Sequence, residues 1–254
     1  LLELSDNTFE LLPDNIEEAY PLARMQEFIL SHYSNDHQKM GVYHFLQLFE
    51  IDDDNLSLKS FKLALETLVQ KNPIFRTIFI INNVELPLQV VKRNLKFSVN
   101  ERDISSLDPD KQEIYIDAVV KQDIQHLFNV EDTNEPLFRF WIFQKSLNRF
   151  ELLISIHHAI IDGWSNIEIL KELCELYLAI KRGEEIQLES STHVYKEFVA
   201  LEKEIIRSKE ASDFWRERLK NYIYKPLQRF KDRTVDEAEA IYEDLLIMTI
   251  MYDH

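Results

Sequence analysis

A short apolar run at residues 152–156 constrains the fold of this chain more than any other segment. The run reads Leu-Leu-Ile-Ser-Ile. Because successive side chains of a strand point to opposite sides, a strand with this sequence carries apolar groups on both faces. Such strands are typical of the middle of a sheet that is covered on both sides. The sequence therefore predicts an α/β domain in which this strand is central.

Other segments predict further strands and helices from their hydrophobic spacing. Strands are predicted at residues 43–51, 75–81, 84–91, 96–100, 137–143, 149–157 and 241–252. Helices are predicted at residues 21–30, 57–71, 110–129, 164–181 and 193–219. Asn82 and Asn83 separate two of the strands and predict a hairpin. Because strands and helices do not alternate regularly, we expect a mixed β-sheet packed with helices rather than a repeated βαβ unit.

The helix predicted at residues 164–181 carries the clearest local signals. Ser165 followed by Glu168 has the spacing of a capping box, which predicts that Ser165 caps the helix. Gly183 stands where a helix commonly ends. The single cysteine, Cys174, has apolar neighbours on this helix, so we expect a buried and unreactive thiol.

The charge balance excludes several classes of partner. The chain has 45 Asp and Glu residues against 29 Lys and Arg, a formal net charge of −16. A chain this acidic repels polyanions, so we expect no nucleic-acid partner and no binding to an anionic membrane surface. No apolar run approaches the ~20 residues that a membrane-spanning helix needs.

Glycine and cysteine usage excludes further chemistry. The three glycines lie far apart in the sequence, so the glycine-rich loops that cradle nucleotide phosphates are missing. One cysteine permits no internal disulfide and no thiolate metal cluster. This usage fits a reducing compartment, and we expect a cytoplasmic protein. The sequence starts at Leu1 rather than at Met, so we expect it to be cut from a longer chain.

The segment at residues 155–165 joins the predicted central strand to the predicted helix and carries the chemistry. His157 and His158 are adjacent, so in a strand they face opposite sides and only one of them can enter a given pocket. A histidine at the rim of a sheet can accept a proton from an attacking amine or hydroxyl near neutral pH. It can also hold the nucleophile and donate to a developing oxyanion. Gly163 has no side chain, so its amide can approach a substrate closely.

Three segments, at residues 20–27, 72–79 and 157–165, resemble signature motifs of one enzyme family, the condensation domains of nonribosomal peptide synthetases. Residues 157–165 read HHAIIDGWS and match the family's HHxxxDG motif with the Trp-Ser that follows it. Residues 20–27 read YPLARMQE and resemble the motif YPLSPMQ, with Ala23 in place of Ser. Residues 72–79 read NPIFRTIF and resemble the motif HPxLRTxF, with Asn72 in place of His.

The resemblance implies a fold and a domain organisation. The family has two chloramphenicol acetyltransferase-like lobes around a tunnel, and a full member is about twice as long as this chain. We therefore expect residues 1–19 to form a leading linker and residues 20–183 to form the N-terminal lobe. Residues 184–254 are expected to hold a helical crossover and the start of an incomplete C-terminal lobe.

The resemblance also implies roles for the motif residues. His158 is expected to face the tunnel and to assist attack of the acceptor amine on the donor thioester, with Gly163 lining the same place. His157 is expected to be structural. Asp162 is expected to point away from the tunnel and to form an ion pair with Arg76. Arg139 is the second choice for that partner.

Two tryptophans fall in or near motif-like segments. Trp164 directly follows the HHxxxDG motif, and Trp215 lies in the last predicted helix. Large aromatic side chains mostly serve packing, so we expect both rings to be packed.

The resemblance implies substrates held on the phosphopantetheine arms of two carrier domains, with no intrinsic cofactor and no metal. The expected partners are these carrier domains and the adjacent synthetase domains, including the C-terminal lobe. The expected activity is amide-bond formation in antibiotic and other secondary metabolism, and we expect these 254 residues to be inactive alone. Two alternatives stay open, an inactive condensation-like module that recruits a partner or carrier protein and a related CoA-dependent acyltransferase.

Overall fold

The computed structural model describes residues 12–33, 43–187, 195–223 and 248–249. These residues fall into two compact units. The first unit comprises the described residues up to 187 together with residues 248–249, and the second comprises residues 195–223. The HHxxxDG segment lies in the first unit.

Eight strands form two sheets among the described residues. The strands are β1 (Ile16–Pro21), β2 (His44–Asp52), β3 (Thr77–Ile80), β4 (Leu88–Lys92), β5 (Val99–Asp103), β6 (Phe138–Gln144), β7 (Arg149–His157) and β8 (Met248–Thr249). One sheet has the order β1-β4-β3, and the other has the order β5-β6-β7-β2-β8. The β5–β6 and β2–β8 pairs are parallel and the other pairs are antiparallel, so the predicted mixed sheet is confirmed.

Six α-helices are described. They are α1 (Arg24–Tyr33), α2 (Leu58–Lys71), α3 (Pro109–Gln125), α4 (Gly163–Lys181), α5 (Tyr195–Arg207) and α6 (Lys209–Leu219), with a 3-10 helix at Pro73–Arg76. The helix predicted at residues 193–219 is two helices, because Ser208 leaves the helical conformation and caps α6 by accepting from the Ala211 amide. No described helix is long and apolar enough to cross a lipid bilayer.

Strand β7 is central and covered on both faces, as its apolar run predicts. It pairs with β6 on one side and with β2 on the other. Leu152, Ile154 and Ile156 belong to the main core, whereas Leu153 belongs to a second core that includes Ile116 of α3. Burying each of these side chains stabilises the fold by about 1.5–3 kcal/mol. This burial fixes the direction in which the end of β7 presents its histidines.

The predicted hairpin at Asn82 and Asn83 is confirmed, although its strands are shorter than predicted. Strands β3 and β4 pair antiparallel. Asn83 adopts a positive φ of 59°, which asparagine tolerates better than most residues. Strand β4 starts only at Leu88, immediately after Pro87, since proline has no amide hydrogen for the ladder.

Strand β1 starts at Ile16, inside the segment 1–19 predicted to be a linker, so that prediction is wrong for its last residues. A register irregularity between Ile16 and Glu18 interrupts the two-residue alternation by which a strand is recognised. Ile16 and Ala19 nevertheless pack against the apolar core between β3 and β4. The boundary expected at residue 183 stays a prediction.

Helix α4 ends as predicted, but its N-terminal cap is a different residue from the one predicted. Asp162, not Ser165, is the N-cap, and its side chain accepts from the Ser165 amide at 2.7 Å. Gly183 ends the helix as predicted, with a left-handed φ of 74°. Cys174 is exposed, contrary to the prediction of burial. Although the residue is exposed, partial desolvation by the surrounding protein and the charge of Glu175 raise the pKa of the Cys174 thiol, so it is a poor nucleophile.

The strand predicted at residues 241–252 is described only at Met248–Thr249. These two residues pair in parallel with Gln47 and Leu48 of β2. The rest of that prediction lies outside the described residues.

Candidate active site

The two histidines of the motif lie in opposite environments at the end of β7. His157 is the last residue of the strand and only 3% exposed. His158 is the first residue beyond the strand, and it is exposed. The alternation of side chains along the strand therefore separates one buried imidazole from one that solvent and ligands can reach.

His157 is a buried hydrogen-bond acceptor. Its Nδ1 accepts from the Ala159 amide at 3.1 Å. Burial, aided by the nearby His44 and His158, lowers the pKa of His157 to about 3. The ring is therefore neutral at physiological pH, and its hydrogen is on Nε2. A neutral ring held in this way shapes the turn that follows and has no free lone pair for substrate chemistry.

His158 has the opposite arrangement. Its Nδ1 lies 2.8 Å from the Ile161 carbonyl oxygen, which can only accept, so Nδ1 carries the hydrogen. In the neutral ring the lone pair is then on Nε2. The backbone amide of His158 donates to the Tyr43 carbonyl at 2.7 Å, and the ring lies 5.8 Å from that of Phe45. The fold thus presents a basic nitrogen from a fixed backbone position.

Asp162 and Gly163 form the start of α4 beside His158. Asp162 is exposed. The pKa of its carboxyl is lowered chiefly by the backbone amide of Ser165. A Cβ built on Gly163 meets no atom within 4 Å, and the φ of Gly163 is not left-handed. Nothing in the fold of the described residues therefore requires glycine at this position.

The predicted ion pair between Asp162 and Arg76 is wrong. Arg76 is buried, and its guanidinium donates to Glu17 at 2.6 Å and to the Lys92 carbonyl. Glu17 lies on β1, which pairs with the strand that contains Lys92. The fold therefore places the carboxylate of Glu17, rather than that of Asp162, beside Arg76. Asp162 is occupied instead by the amides that open α4.

Arg139, the second choice, is also not the partner of Asp162. Its guanidinium binds Asp123 of α3 through Nε at 2.8 Å and through a second nitrogen at 3.1 Å. It also stacks over the ring of Phe128, 4.0 Å from its centroid. This buried ion pair holds α3 against the sheet.

The sequence did not predict the buried polar cluster to which Asp123 and Arg139 belong. In this cluster, His44 Nε2 lies 2.6 Å from the Ser155 hydroxyl and 3.3 Å from Asp123. Burial alone would raise the pKa of Asp123, but hydrogen bonds from His44 and Arg139 hold it well below its usual range. Ser155 interrupts the otherwise apolar run at residues 152–156, and that interruption is the one sequence signal that marked the cluster.

Both tryptophans were expected to be packed, and both are exposed. The Trp164 side chain is 83% exposed at the start of α4. Trp215, in the second unit, is 56% exposed. Trp164 points outward at the helix N-terminus, because the buried face of α4 is formed by residues such as Ile169 and Leu173.

The fold and the motif together define a condensation domain. The sequence matches the condensation-domain family over residues 16–241, and the chain belongs to this family. The resemblance stated from the motifs is therefore confirmed.

Among similar curated proteins, gramicidin S synthase 2 from Brevibacillus brevis is 32% identical over 210 residues. Tyrocidine synthase 3 from Brevibacillus parabrevis is 32% identical over 213 residues. These alignments cover 82% and 84% of this chain but only 5% and 3% of those proteins. The chain thus spans a small part of the length of the synthetases it matches.

Solved structures show the same fold. The starter condensation domain of rhizomide synthetase RzmA superposes with a TM-score of 0.68 at 18% identity, covering 84% of this chain and 52% of that one. The first condensation domain of the CDA synthetase gives a TM-score of 0.69 at 16% identity, covering 85% of this chain and 53% of that one. The predicted chloramphenicol acetyltransferase-like fold is confirmed, and the chain spans about half of each solved chain.

Proposed function

We propose that this chain holds the N-terminal lobe and the start of the C-terminal lobe of a condensation domain that forms amide bonds in a nonribosomal peptide synthetase. The observation that carries the proposal is the state of His158, an exposed imidazole whose Nδ1 is bound to Ile161 and whose Nε2 holds the lone pair. It lies in the signature motif of the family to which the chain belongs. A nitrogen with a free lone pair can accept the proton that an attacking amine loses.

In the proposed reaction, the amine of an acceptor aminoacyl thioester attacks the carbonyl carbon of a donor acyl or peptidyl thioester. A carbon–nitrogen bond forms, and the carbon–sulfur bond to the donor thiol breaks. His158 Nε2 takes the proton that the amine loses and returns it to the departing thiolate. The histidine is unchanged at the end, and no redox partner is needed.

The space beside the backbone of Gly163 supports the role assigned to His158. The fold itself does not require glycine there, because a Cβ would meet no atom within 4 Å. We propose that the bare backbone leaves room for the thioester close to His158. The N-terminus of α4 also favours developing negative charge, because helix amides and their dipoles point toward it.

The substrates and partners follow from the family. The donor and the acceptor would be carried on phosphopantetheine arms of two carrier domains, so the chain needs no cofactor of its own. The C-terminal lobe, which would supply the other half of the condensation domain, and the adjacent synthetase domains would complete the site. We expect the 254 residues alone to be inactive, since the orientation of both substrates would be lost. The cytoplasmic location stays a prediction.

The test uses the full-length protein that contains this chain. It is charged with ATP and the twenty proteinogenic amino acids, and the mass of each carrier domain is measured. We expect a dipeptidyl thioester on the acceptor carrier of the wild type and none with His158→Ala. The proposal is contradicted if both carriers are loaded and the wild type makes no such product. Product formation at the wild-type rate by His158→Ala would remove His158 from the mechanism.

The same experiment separates the two alternatives. Octanoyl-CoA is supplied as a donor in place of a loaded carrier domain. Acylation of an amine from octanoyl-CoA, without any loaded donor carrier, would support a CoA-dependent acyltransferase. Stable complexes with loaded carriers but no product would support an inactive recruiting module.

A further inference from the structure

A buried glutamine connects helix α1 to the loop that carries His158. Gln26 is only 3% exposed. Its Oε1 accepts from the amide of Ala23, the residue before α1, at 3.0 Å. This contact is the half of a capping box in which the third helical residue reaches back to the cap. One end of the side chain therefore serves its own helix.

The other end of the Gln26 side chain serves the active-site loop. Its Nε2 donates to the Ala159 carbonyl at 3.1 Å, across 133 positions of sequence. Ala159 directly follows His158 and is only 5% exposed. A buried carbonyl that lost this donor would be left without a partner, which is unfavourable in the protein interior. Losing this hydrogen bond would therefore destabilise the observed conformation of the loop.

A second glutamine holds the first in place. Gln89 of β4 is fully buried, and its Nε2 donates to Gln26 Oε1 at 2.9 Å and to the Pro21 carbonyl at 3.0 Å. The amide plane of Gln26 is thus oriented from β4, with its donor group toward Ala159.

The backbone around His158 is consequently held from three directions. Tyr43, just before β2, accepts from the His158 amide. His157 accepts from the Ala159 amide, and Gln26 donates to the Ala159 carbonyl. The first two contacts come from the sheet, and the third comes from α1. The turn so fixed brings the Ile161 carbonyl to His158 Nδ1.

We propose that Gln26, oriented by Gln89, is a positioning residue for His158. By holding the Ala159 carbonyl it fixes the turn that sets both the place and the tautomer of the imidazole. The proposal rests on the proposed function of His158 as the group that moves the amine proton. Misplacing a reacting group by about 1 Å can lower a rate by about 100-fold.

The informative variant is Gln26→Glu. Glutamate keeps an oxygen that can accept from the Ala23 amide, so the cap of α1 is retained. It loses the donor to the Ala159 carbonyl and to Gln89 Oε1, and it sets a carboxylate oxygen against both of these acceptors. Gln26→Ala removes the contacts with Ala23, Ala159 and Gln89 together and serves as the more severe comparison.

The matched control is Gln112→Glu. Gln112 is also buried, and its Nε2 likewise donates to backbone carbonyls, those of Ile104, Leu107 and Lys145. These contacts lie at α3 and the β6–β7 turn, away from the motif. The chemical change is the same in both variants, so a general loss of stability would affect them alike.

Two measurements on the full-length protein decide the proposal. In the dipeptidyl-carrier assay, Gln26→Glu is expected to lower kcat by about 10- to 100-fold with KM for the acceptor carrier nearly unchanged. Hydrogen exchange of a peptide spanning residues 157–163 is expected to accelerate about 10-fold or more, since about 1.4 kcal/mol of lost protection is tenfold in rate. Gln112→Glu is expected to change neither.

The outcomes separate this proposal from the proposed function. If Gln26→Glu leaves both the rate and the exchange of residues 157–163 at wild-type values, or if Gln112→Glu changes them equally, Gln26 is not a positioning residue. If the wild type forms no amide product, the function assigned to His158 fails. The exchange measurement still decides in that case whether Gln26 holds the loop.

Discussion

The imidazoles of His157 and His158 are adjacent in the chain and carry their hydrogens on opposite nitrogens. Nδ1 of His157 accepts from the Ala159 amide, whereas Nδ1 of His158 donates to the Ile161 carbonyl. One ring is 3% exposed and the other is open to solvent. The fold therefore assigns one histidine to shaping the turn and leaves the other, exposed histidine with its lone pair on Nε2.

The buried state of His157 predicts a specific dependence of stability on pH. Its pKa is about 3 in the folded chain, and the ordinary value for histidine in the unfolded chain is 6.5. Between these values the unfolded state binds the extra proton, so acid favours unfolding. The contribution is complete above pH 6.5 and is lost by up to about 1.4 kcal/mol per pH unit as the pH falls toward 3.

Urea unfolding at a series of pH values tests this dependence with His157→Asn. Asparagine keeps an oxygen that can accept from the Ala159 amide but does not titrate. We expect the variant to lose less stability than the wild type between pH 6.5 and pH 4. Equal slopes for the two proteins in that range would show that His157 is not buried as a neutral ring.

Asp162 is expected to act as a helix cap rather than as an ion-pair partner. Asp162→Ala should lower the free energy of unfolding by about 1 kcal/mol, because the Ser165 amide loses its acceptor. Asp162→Asn should retain most of that stability, since the amide oxygen can accept in place of the carboxylate. Thermal unfolding of the two variants distinguishes the roles. A loss with Asp162→Asn as large as with Asp162→Ala would indicate that the charge itself is required.

Gly163 predicts a separation of stability from activity. Gly163→Ala places a methyl group in open space at the start of α4, so the fold should be unchanged or stabilised by up to about 1 kcal/mol. The same methyl group would crowd the thioester that we place beside His158, so the rate of dipeptide formation should fall. The thermal stability and the rate in the dipeptidyl-carrier assay are measured on the same sample. Unchanged activity would show that the substrate does not approach this glycine.

The buried pair of Asp123 and Arg139 predicts a large effect on stability. Asp123→Ala leaves the Arg139 guanidinium buried without its carboxylate, which should lower the free energy of unfolding by about 3–5 kcal/mol. Glu101→Ala, which breaks the exposed pair with Lys62, should cost less than about 1 kcal/mol. Urea unfolding of both variants makes the comparison. Similar costs for the two would show that the Asp123 pair is no more important than a surface contact.

The sequence predicted those features that depend on local pattern. The central strand β7 follows from its apolar run, and the hairpin of β3 and β4 follows from paired strands around two asparagines. The motif beginning at His157 indicated the family, and the site that we propose lies in this motif. Each of these signals lies within a few neighbouring residues.

The predictions that failed depend on contacts between distant segments. Arg76 forms its ion pair with Glu17, which is 59 positions away, and no local pattern distinguishes that partner from Asp162. The N-cap of α4 was misplaced because Asp162 and Ser165 are both good capping residues and the sequence alone does not rank them. The contact of Gln26 with Ala159 could not be predicted either, since 133 positions separate the two residues.

The most direct test of the account is the single-turnover rate of dipeptide formation by His158→Asn in the full-length protein. Asparagine can place a donor near the Ile161 carbonyl, so the turn is retained while the Nε2 lone pair is lost. With donor and acceptor carriers both loaded, we predict a rate at least about 100-fold below that of the wild type, within the range expected for removing a general base. Dipeptide formation by His158→Asn at the wild-type rate would contradict the central claim.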